Sequence, residues 1–405
     1  MSTSAAPPDA RPFTGIRVLD FTQVFAGPFG SYQLALLGAD VVKIERQGGD
    51  DMRRGPPNKV WSDRDMGTSW LAINANKRNL ALDLTKPAAI AIVKKLVETA
   101  DVVWENFRPG VMAKLGIGYE ALSAINPRLI YCAVSGFGQT GPERTTAAYD
   151  GKIQAMSGLM SITGTAETGP TRAGFAVCDA IGGMTSAFAV ASALFQRTHT
   201  GKGQMVDVAM FDSALTFMSS FVVDYTVGGH LQGPSGNRAQ SRLPTADLFR
   251  CKGGHILLAV NNEKQFSALA RALGKPELPK DPRFVDWPAR LANDASLRGI
   301  IEDVLAGADA ATWEQRLTDG DVPCARVRTL AEAVAHPQLE SRDVLQTVDS
   351  PHGLLRLVAN GFRLAHGSGR IDRAPVPPGH DADAVLAEAG YSAEEVAAFR
   401  RDGVI

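Results

Sequence analysis

Asp179 is the only charged residue in a segment that otherwise contains apolar, glycine and small polar residues, GFAVCDAIGGMTSAFAVASALF (174–195). The apolar spacing after it predicts a helix over 180–195, whose two glycines and several alanines would let another backbone come close. An aspartate at the start of a helix either caps it, by accepting a backbone N–H, or is available as a nucleophile. The segment on its own favours the cap.

A second candidate site follows the first predicted strand. The segment RVLDFTQVFAGPFG (17–30) indicates a strand, a glycine-bearing turn and a helix, which together aim backbone N–H groups at an anion. Gly27 and Gly30 form only GxxG, which is not a dinucleotide fingerprint. Glu45 could bind a ribose, but the guanidinium of Arg46 beside it suits a phosphate; an exposed, salt-bridging arginine is the alternative. Further cations would join a phosphate site only if the fold brings them to the same edge: Lys77, Arg78, Arg108 and Lys114.

The elements that must position these residues alternate between strand and helix. Strand-like runs at 16–21, 41–45, 80–84, 101–106 and 129–134 are separated by helical segments, such as 28–38 and the helix opened by Thr85 and Pro87. Strands separated by helices imply parallel crossovers. The first part of the chain therefore predicts an α/β fold with a doubly wound parallel sheet.

The predicted domain organisation has a large domain in 1–217, a smaller one in 228–325 and a return segment in 326–405. Gly, Pro, Ser and polar residues crowd together at 228–245, which indicates a linker or mobile loop, and a hairpin is predicted across 247–260. The last segment, with a strand-like run at 353–364 and a final helix near 381–401, is expected to complete the large domain.

Composition limits the classes of function. With 405 residues, 45% of them apolar, the chain can form a substantial core, and its formal net charge of -1 makes a nucleic-acid partner unexpected. The four cysteines lack metal-ligand spacing and are interpreted as reduced thiols. The start, 1–15, predicts a loose tail rather than a signal peptide, and 180–195 is interpreted as too short to span a membrane. We expect a soluble, cytoplasmic protein with no metal.

Several segments, in order and over nearly the whole chain, resemble the class III CoA-transferase family, which includes the formyl-CoA transferase and the carnitine and bile-acid CoA-transferase groups. They are GIRVLDFTQVFAGPFGSYQLALLGADVVKIER (15–46), NKRNLALDL (76–84), DVVWENFRPGVMAKLGIGYEALSAINPRLIYCAVSGFGQTGP (101–142), TGKGQMVDVAMFDSAL (200–215) and the ending RDGVI. The resemblance implies a Rossmann-like sheet domain plus a smaller α+β domain, an interlocked homodimer, and no resident cofactor, with the coenzyme A thioester as substrate.

Carried over by position, the family's nucleophile matches Asp179. Tyr149 and Asp150 match positions that border the acyl site and join the implied catalytic set. The implied coenzyme A contacts are Val24, Phe25, Ala26, Arg46, Leu82, Asn106, Phe107 and Lys114. Phe25 stands where formyl-CoA transferases have glutamine, Ala147 replaces a lysine, and the long glycine loop of that branch is missing. Formyl-CoA and oxalate are therefore not expected to be the natural pair.

With this resemblance, the nucleophile becomes the favoured role of Asp179. An aspartate with an ordinary pKa, about 3.9, is ionised at neutral pH and needs no general base. Attack on an acyl-CoA would give an acyl-aspartyl anhydride and then an aspartyl-CoA thioester. Backbone N–H groups at the start of the 180–195 helix are expected to stabilise the developing charge, and apolar surroundings to exclude water. Succinyl-CoA is the expected donor, with a C4 to C6 mono- or dicarboxylate as acceptor.

Other functions remain open at this point. An α-methylacyl-CoA racemase shares the family fold, but its histidine would fall at Tyr149, a phenol is a poor replacement base, and none of the seven histidines lies between 107 and 178. A hydratase or lyase relative is a further alternative. A nicotinamide-dependent oxidoreductase would rest only on the strand-turn-helix and Glu45, without GxGxxG. A non-catalytic CoA-binding protein is the simplest alternative.

Overall fold

The structure is a computed structural model that describes residues 10–405; most of the predicted N-terminal tail lies outside the described residues. The chain divides into two compact units. The larger contains the described residues up to Leu159 together with Arg172–Leu231 and Gln338–Ile405, and the smaller contains Met160–Thr171 and Gln232–Pro337. The smaller unit thus differs from the predicted 228–325 domain at both ends, and it includes a short excursion before Asp179 that composition does not indicate.

The regular elements follow in chain order. The strands are β1 (Arg17–Asp20), β2 (Asp40–Glu45), β3 (Lys77–Ala81), β4 (Val102–Glu105), β5 (Ile130–Ser135), β6 (Gly164–Thr165), β7 (Gly169–Pro170), β8 (Gln204–Ala209), β9 (Leu248–Cys251), β10 (Gly254–Leu258), β11 (Cys324–Arg326), β12 (Leu345–Ser350) and β13 (Gly353–Val358). The α-helices are α1 (Ala26–Leu36), α2 (Lys59–Ser62), α3 (Thr68–Leu71), α4 (Pro87–Val97), α5 (Val111–Lys114), α6 (Tyr119–Ile125), α7 (Asp150–Met156), α8 (Leu159–Ile162), α9 (Val177–Thr200), α10 (Met210–Phe217), α11 (Ser219–Thr226), α12 (Glu263–Ala272), α13 (Trp287–Ala292), α14 (Asp294–Leu305), α15 (Ala310–Asp319), α16 (Leu330–Val334), α17 (Pro337–Ser341), α18 (Ala382–Glu388) and α19 (Ala393–Arg401).

The larger unit is built on a six-stranded parallel sheet with the order β3-β2-β1-β4-β5-β8. This confirms the predicted doubly wound parallel sheet. The strand order reverses between β1 and β4, and the crevice beyond the carboxyl ends of strands at such a point is where open α/β sheets bind ligands. The turn after β1 and the turn after β4 therefore lie at the expected ligand edge.

Both faces of the sheet are covered, which explains why most positions of its strands are buried. Leu19, Val42 and Val103 pack with α4, α6, α18 and α19. Their sequence neighbours, such as Val18 and Val41, point to the opposite face and pack with α1 and α9. The helices that cover this second face are the ones that carry the candidate site.

The helix α9 has 24 residues, more than the sixteen predicted. The expectation that this segment is too short to span a membrane is wrong, since by length and composition alone α9 is long and apolar enough to cross one. The periodicity extends back to Val177 and on through Arg197 to a left-handed C-cap at Gly201. One face of α9 is buried, through Cys178, Gly182, Gly183, Ser186, Ala187, Val190, Ala193, Leu194 and Arg197.

The smaller unit contains a three-stranded antiparallel sheet, β11-β10-β9, with the predicted hairpin between β9 and β10. Its core contains Phe249, Ile256, Phe266, Phe284 and Trp313. In the larger unit, the predicted strand at 353–364 is shorter and forms a separate hairpin with β12. The predicted final helix near 381–401 is two helices, because Gly390 adopts a φ of 82° between them.

Candidate active site

Asp179 lies in the first turn of α9, but it is not the N-cap. The N-cap is Ala176, which makes no side-chain capping bond. Instead the carboxylate of Asp150, at the start of α7, accepts hydrogen bonds from the backbone N–H groups of Cys178 (2.8 Å) and Asp179 (3.4 Å). The capping role that the local sequence favours for Asp179 is therefore filled by Asp150, because the fold brings the two helices together.

The contacts of Asp150 occupy its carboxylate fully. Its side chain is buried, and its second oxygen accepts a bond from Gln154 Nε2 at 2.6 Å and lies 3.4 Å from Arg172. Among the described residues, by contrast, no hydrogen bond is recorded to the carboxylate oxygens of Asp179. The N–H groups of Cys178 and Asp179 are already paired, so the expectation that the start of α9 supplies an oxyanion site is wrong.

The environment of Asp179 changes its acidity. Burial raises the pKa of its carboxyl to about 7, and the negative charge of Asp150 adds to that rise. The expectation of an ordinary, fully ionised aspartate at neutral pH is therefore wrong. Burial likewise raises the pKa of the neighbouring Cys178 thiol to about 12, so this thiol is not a competing thiolate.

Asp179 lines a cavity of about 200 Å³ at the ligand edge of the sheet, called here the Asp179 cavity. Its walls come from the turn after β1, the turn after β4, the end of β5 and the segment before α7. The lining residues are Gln23, Val24, Phe25, Ala26, Asn106, Phe107, Arg108, Pro109, Val134, Ser135, Gly136, Arg144, Thr146, Ala147, Ala148, Tyr149, Asp179 and Met210. This lining, drawn from residues 10–405, contains no histidine, which leaves Asp179 without the proton-transfer partner that a racemase would need.

Tyr149 borders this cavity, as the resemblance implies. It is the N-cap residue of α7, its side chain does not cap the helix, and the residue is 75% exposed. Asp150, the next residue, points away into the cap of α9. Two adjacent residues thus have different positions: Tyr149 lies on the cavity wall, and Asp150 caps the helix that carries Asp179.

The turn after β1 is held in an unusual conformation. Val24 has a φ of 65°, a left-handed value that is rare for a β-branched residue. Its N–H donates to Asp50 at 2.9 Å, while the side-chain amide of Asn106 both accepts from Gln23 N–H (2.8 Å) and donates to its carbonyl (2.7 Å). Asn106, predicted as a coenzyme A contact, lines the cavity. It also fixes the turn that leads to three further predicted contacts, Val24, Phe25 and Ala26.

A second cavity, of about 490 Å³, adjoins the first and is called here the Arg46 cavity. Arg46 and Leu82 line it, and Gln23 and Phe107 line both cavities. The Arg46 side chain is 64% exposed and pairs with Asp51. A ligand that lies along the edge of the sheet could thus extend from Arg46 to Asp179.

Glu45 is not free to bind a ribose. Its carboxylate is buried in a two-pronged ion pair with Arg53, at 2.8 and 3.1 Å, and the Arg53 guanidinium stacks on Trp70. The candidate ribose-binding role is therefore wrong. Glu45, on which the oxidoreductase alternative partly depends, belongs to a structural ion pair and gives that alternative no support.

The predicted cations do not converge. Lys77 is buried and bonds to Asp20 at 3.0 Å; burial would raise the pKa of Asp20, but the charges of Lys77 and Lys43 and two hydroxyl bonds lower it to about 2. Arg78 pairs with Asp40 and Glu388 instead. Lys114 is an exposed residue of α5 that is outside the described lining of either cavity. Of the cations considered, only Arg46 and Arg108 line these cavities.

The close approach predicted from the glycines of α9 is present. A Cβ built at Gly183 would lie 2.6 Å from the carbonyl oxygen of Ala26, and one at Gly30 would lie 2.8 Å from the carbonyl oxygen of Gly183. The absence of side chains at both positions lets α1 and α9 touch backbone to backbone. This contact brings the N-terminus of α1 to the cavity that Asp179 lines.

Sequence reasoning missed Arg144, which lies in the segment between β5 and α7 and lines the Asp179 cavity. No helix or strand periodicity covers this segment, so the sequence contains no signal that the Arg144 side chain faces the cavity. Within residues 10–405, no group of three or more His, Cys, Asp or Glu side chains is arranged to hold a metal ion.

The fold and the site define a class of protein: a Rossmann-like α/β sheet with a carboxylate in the crevice where the strand order reverses. The sequence matches the model of CoA-transferase family III over residues 13–383. It is 40% identical to the acetyl-CoA:oxalate CoA-transferase of Acetobacter aceti, over 85% of this chain and 87% of that protein, and 33% identical to the succinyl-CoA–D-citramalate CoA-transferase of Chloroflexus aurantiacus, over 100% of both.

A solved structure gives the same result. The crystal structure of a CAIB/BAIF family protein from Brucella suis superposes with a TM-score of 0.86 at 34% identity, covering 94% of this chain and 100% of that one. The chain belongs to CoA-transferase family III. It is accordingly an enzyme of the CoA-transferase class, as the sequence motifs predict.

Proposed function

We propose that this enzyme moves coenzyme A from an acyl-CoA to a small carboxylic acid, with Asp179 as the covalent nucleophile. One observation carries the mechanism: the carboxylate of Asp179 lines a cavity that shares Gln23 and Phe107 with the larger Arg46 cavity. A thioester can reach Asp179 while the nucleotide end of its coenzyme A lies toward Arg46, whose guanidinium suits a phosphate. Cytoplasmic location remains part of this proposal.

The proposed reaction has two halves that mirror each other. The Asp179 carboxylate attacks the thioester carbonyl, the C–S bond breaks, and an acyl-aspartyl anhydride and coenzyme A thiolate form. The thiolate then attacks the aspartyl carbonyl, which releases the donor acid as its carboxylate and leaves an aspartyl-CoA thioester. The acceptor carboxylate attacks this thioester, the C–S bond breaks, and a second anhydride forms between the acceptor and Asp179. The released thiolate then attacks the acceptor's carbonyl carbon, which gives the new acyl-CoA and restores the Asp179 carboxylate. Each step exchanges one bond at a carbonyl carbon, and none consumes a proton.

The proposed stabilisation of the developing charges comes from α1 and not from α9. The first N–H groups of a helix have no partner inside it, and Phe25, the N-cap of α1, makes no side-chain capping bond. Val24, Phe25 and Ala26 line the Asp179 cavity, so the positive end of α1 faces the reacting groups. A well-aimed donor of this kind contributes about 3 to 4 kcal/mol to transition-state stabilisation.

The raised pKa of Asp179 fits this chemistry. A carboxylate that is poorly solvated is more reactive toward a carbonyl than one bound by several donors, and the anhydride removes the negative charge that burial disfavours. Asp150 is assigned a positioning role, because its carboxylate accepts from the backbone N–H groups of both Cys178 and Asp179 and is outside the described lining of the cavity.

The proposed substrates are dicarboxylic acids, which are a narrower class than carboxylic acids in general. Succinyl-CoA remains the proposed donor. The names of the two relatives above include oxalate, D-citramalate and a succinyl group, which are dicarboxylic, beside acetyl-CoA, whose acyl group is monocarboxylic. Oxalate, which the departures from formyl-CoA transferases argued against, therefore returns as a candidate acceptor beside C4 to C6 acids.

The deciding experiment traps the covalent intermediate. The enzyme is incubated with succinyl-CoA or acetyl-CoA, treated with hydroxylamine and digested, and the peptide that spans residue 179 is examined for a hydroxamate by mass. We expect the mark on Asp179, no mark in Asp179→Asn, and coenzyme A affinity within a few-fold of wild type in that variant. Active turnover with an unmarked peptide would refute covalent catalysis at this residue.

A further inference from the structure

Arg144 is a cation of the Asp179 cavity that the coenzyme A contacts do not account for. It lies on the segment between β5 and α7, together with Thr146 and Tyr149 on the same wall, and it is exposed. Across the described residues 10–405, its guanidinium has no recorded ion pair or hydrogen bond. A guanidinium that is exposed to a cavity and not paired is available to a ligand.

The charges around this cavity separate into two groups. Its charged lining residues are Arg108, Arg144 and Asp179. Arg108 follows Phe107 in the turn after β4, and Phe107 also lines the Arg46 cavity, so this turn extends to the end where coenzyme A is proposed to bind. Arg144 instead shares its wall with Ala147 and Ala148, in the segment that leads to Tyr149 and Asp150. It is therefore the cation available to the acyl group.

A neighbouring carboxyl does not neutralise Arg144. Arg144 also lines a further cavity, of about 310 Å³, whose wall includes Glu105. Burial raises the pKa of Glu105 to about 8, opposed by a bond from Phe107 N–H, so this carboxyl is mostly protonated at neutral pH. Glu105 therefore does not offset the positive charge of Arg144. Glu120, an exposed carboxyl on the same wall, forms no ion pair with Arg144 among the described residues.

We propose that Arg144 binds the second carboxylate of a dicarboxylic acyl group and thereby selects dicarboxylic over monocarboxylic acids. This inference rests on the proposed function, since it assigns the acid that exchanges at Asp179. An acid with two carboxylates brings one to the reaction and must place the other in a cavity that already holds an aspartate. A guanidinium can take that carboxylate through two parallel hydrogen bonds, which a neutral wall could not offer.

The test compares acceptors that differ only in the second carboxylate. Glutarate and pentanoate have the same number of carbons, and both are assayed with whichever acyl-CoA donor gives the hydroxamate at Asp179. We expect wild type to prefer glutarate in kcat/KM, and Arg144→Gln to lower that preference by about 10- to 100-fold, mainly through the KM of glutarate. Arg144→Lys keeps the charge without the planar fork and should recover part of the preference.

Two controls separate this role from general effects. Arg342→Gln removes an exposed positive charge that lies outside the cavity lining and should leave the ratio unchanged. Arg108→Gln should raise the KM of the acyl-CoA equally with either acid. An Arg144→Gln enzyme that loses activity toward both acids equally, or keeps its preference, overturns the inference and leaves the proposed function standing. If wild type transfers coenzyme A to neither acid and no hydroxamate forms, the proposed function itself fails.

Discussion

The carboxylate of Asp150 lies against the backbone of Cys178, with 2.8 Å between Oδ1 and the amide nitrogen. The same oxygen is 3.4 Å from the amide nitrogen of Asp179, so one buried carboxylate caps the start of the helix that carries the proposed nucleophile. Its negative charge also disfavours ionisation of Asp179. The position and the acidity of the proposed nucleophile thus depend on one neighbour.

The pH dependence of the reaction should depend on the charge of Asp150, because that charge helps to raise the pKa of Asp179. Because Asp179 must be ionised to attack, we expect kcat/KM of wild type to fall tenfold per pH unit below an apparent pKa of about 7. In Asp150→Asn, the amide oxygen can still accept from Cys178 N–H, but the negative charge is gone, so this acid limb should move to lower pH. Identical limbs in the two enzymes would show that Asp150 does not act on Asp179 electrostatically.

The stability of the fold should depend on the ionisation of Asp179. Its pKa in the folded state, about 7, is above its ordinary value of 3.8, so the folded state binds a proton more tightly than the unfolded chain. The stability associated with the neutral carboxyl is complete below about pH 3.8 and is lost as pH rises to about 7. Asp179→Asn, which is neutral at every pH, should therefore unfold with a free energy about 1 to 3 kcal/mol higher than wild type at pH 8.

Urea denaturation at several pH values measures this difference. The gap between Asp179→Asn and wild type should shrink steadily as pH is lowered through the same window and be nearly constant below pH 4. A gap that is independent of pH would mean that Asp179 is ionised normally in the folded enzyme.

The buried ion pair of Glu45 and Arg53 should contribute to the stability of the fold and not to ligand binding. Arg53→Met leaves a buried carboxylate without its partner, and we expect a loss of about 3 to 5 kcal/mol in the free energy of unfolding. Glu45→Gln should cost less and leave coenzyme A affinity within about threefold of wild type. A tenfold or greater loss of affinity in a folded Glu45→Gln enzyme, measured by calorimetry, would restore a ligand-binding role to Glu45.

The outer face of α9 offers a test of the proposed homodimer. Met184, Phe188 and Phe195 lie along one side of this helix and are exposed, Phe188 to 76%. A second copy of the chain would remove this apolar stripe from water. We expect a dimer by light scattering in wild type and a shift toward monomer in Phe188→Glu. Leu354→Glu, at an exposed apolar position on the β13 hairpin, should not change the mass, and a monomeric wild type would contradict the proposal.

Much of the fold could be predicted from local patterns. The strand-like runs, the helix opening at Thr85 and Pro87 and the glycines of α9 are all local signals, and the parallel direction of the strands follows from the helices between them. Asp179 was found because a charge in an apolar helix is conspicuous. The small residues of 174–195 likewise predicted that another backbone comes close to this helix, and the structure identifies that partner as α1.

The parts that the sequence could not predict depend on pairs far apart in the chain. Asp150 takes the capping role from Asp179 only because α7 and α9 meet, which also raises the pKa of Asp179. Glu45 was a candidate ligand residue in the sequence. Its partner, Arg53, lies eight positions away, and strand periodicity gives no information about contacts over that separation. Arg144 lies in a segment without regular structure, where spacing carries no directional information.

Val24 has a consequence for anyone who engineers this enzyme. A valine with a φ of 65° costs the folded state about 1 to 3 kcal/mol, a considerable part of the 5 to 15 kcal/mol that keeps a typical domain folded. Replacement by glycine would relieve that strain, and the greater freedom of glycine in the unfolded chain would offset part of the gain in stability. It would also make the turn that Asp50 and Asn106 hold in place more flexible. We therefore expect any gain in heat tolerance at this position to be accompanied by weaker binding of the thioester.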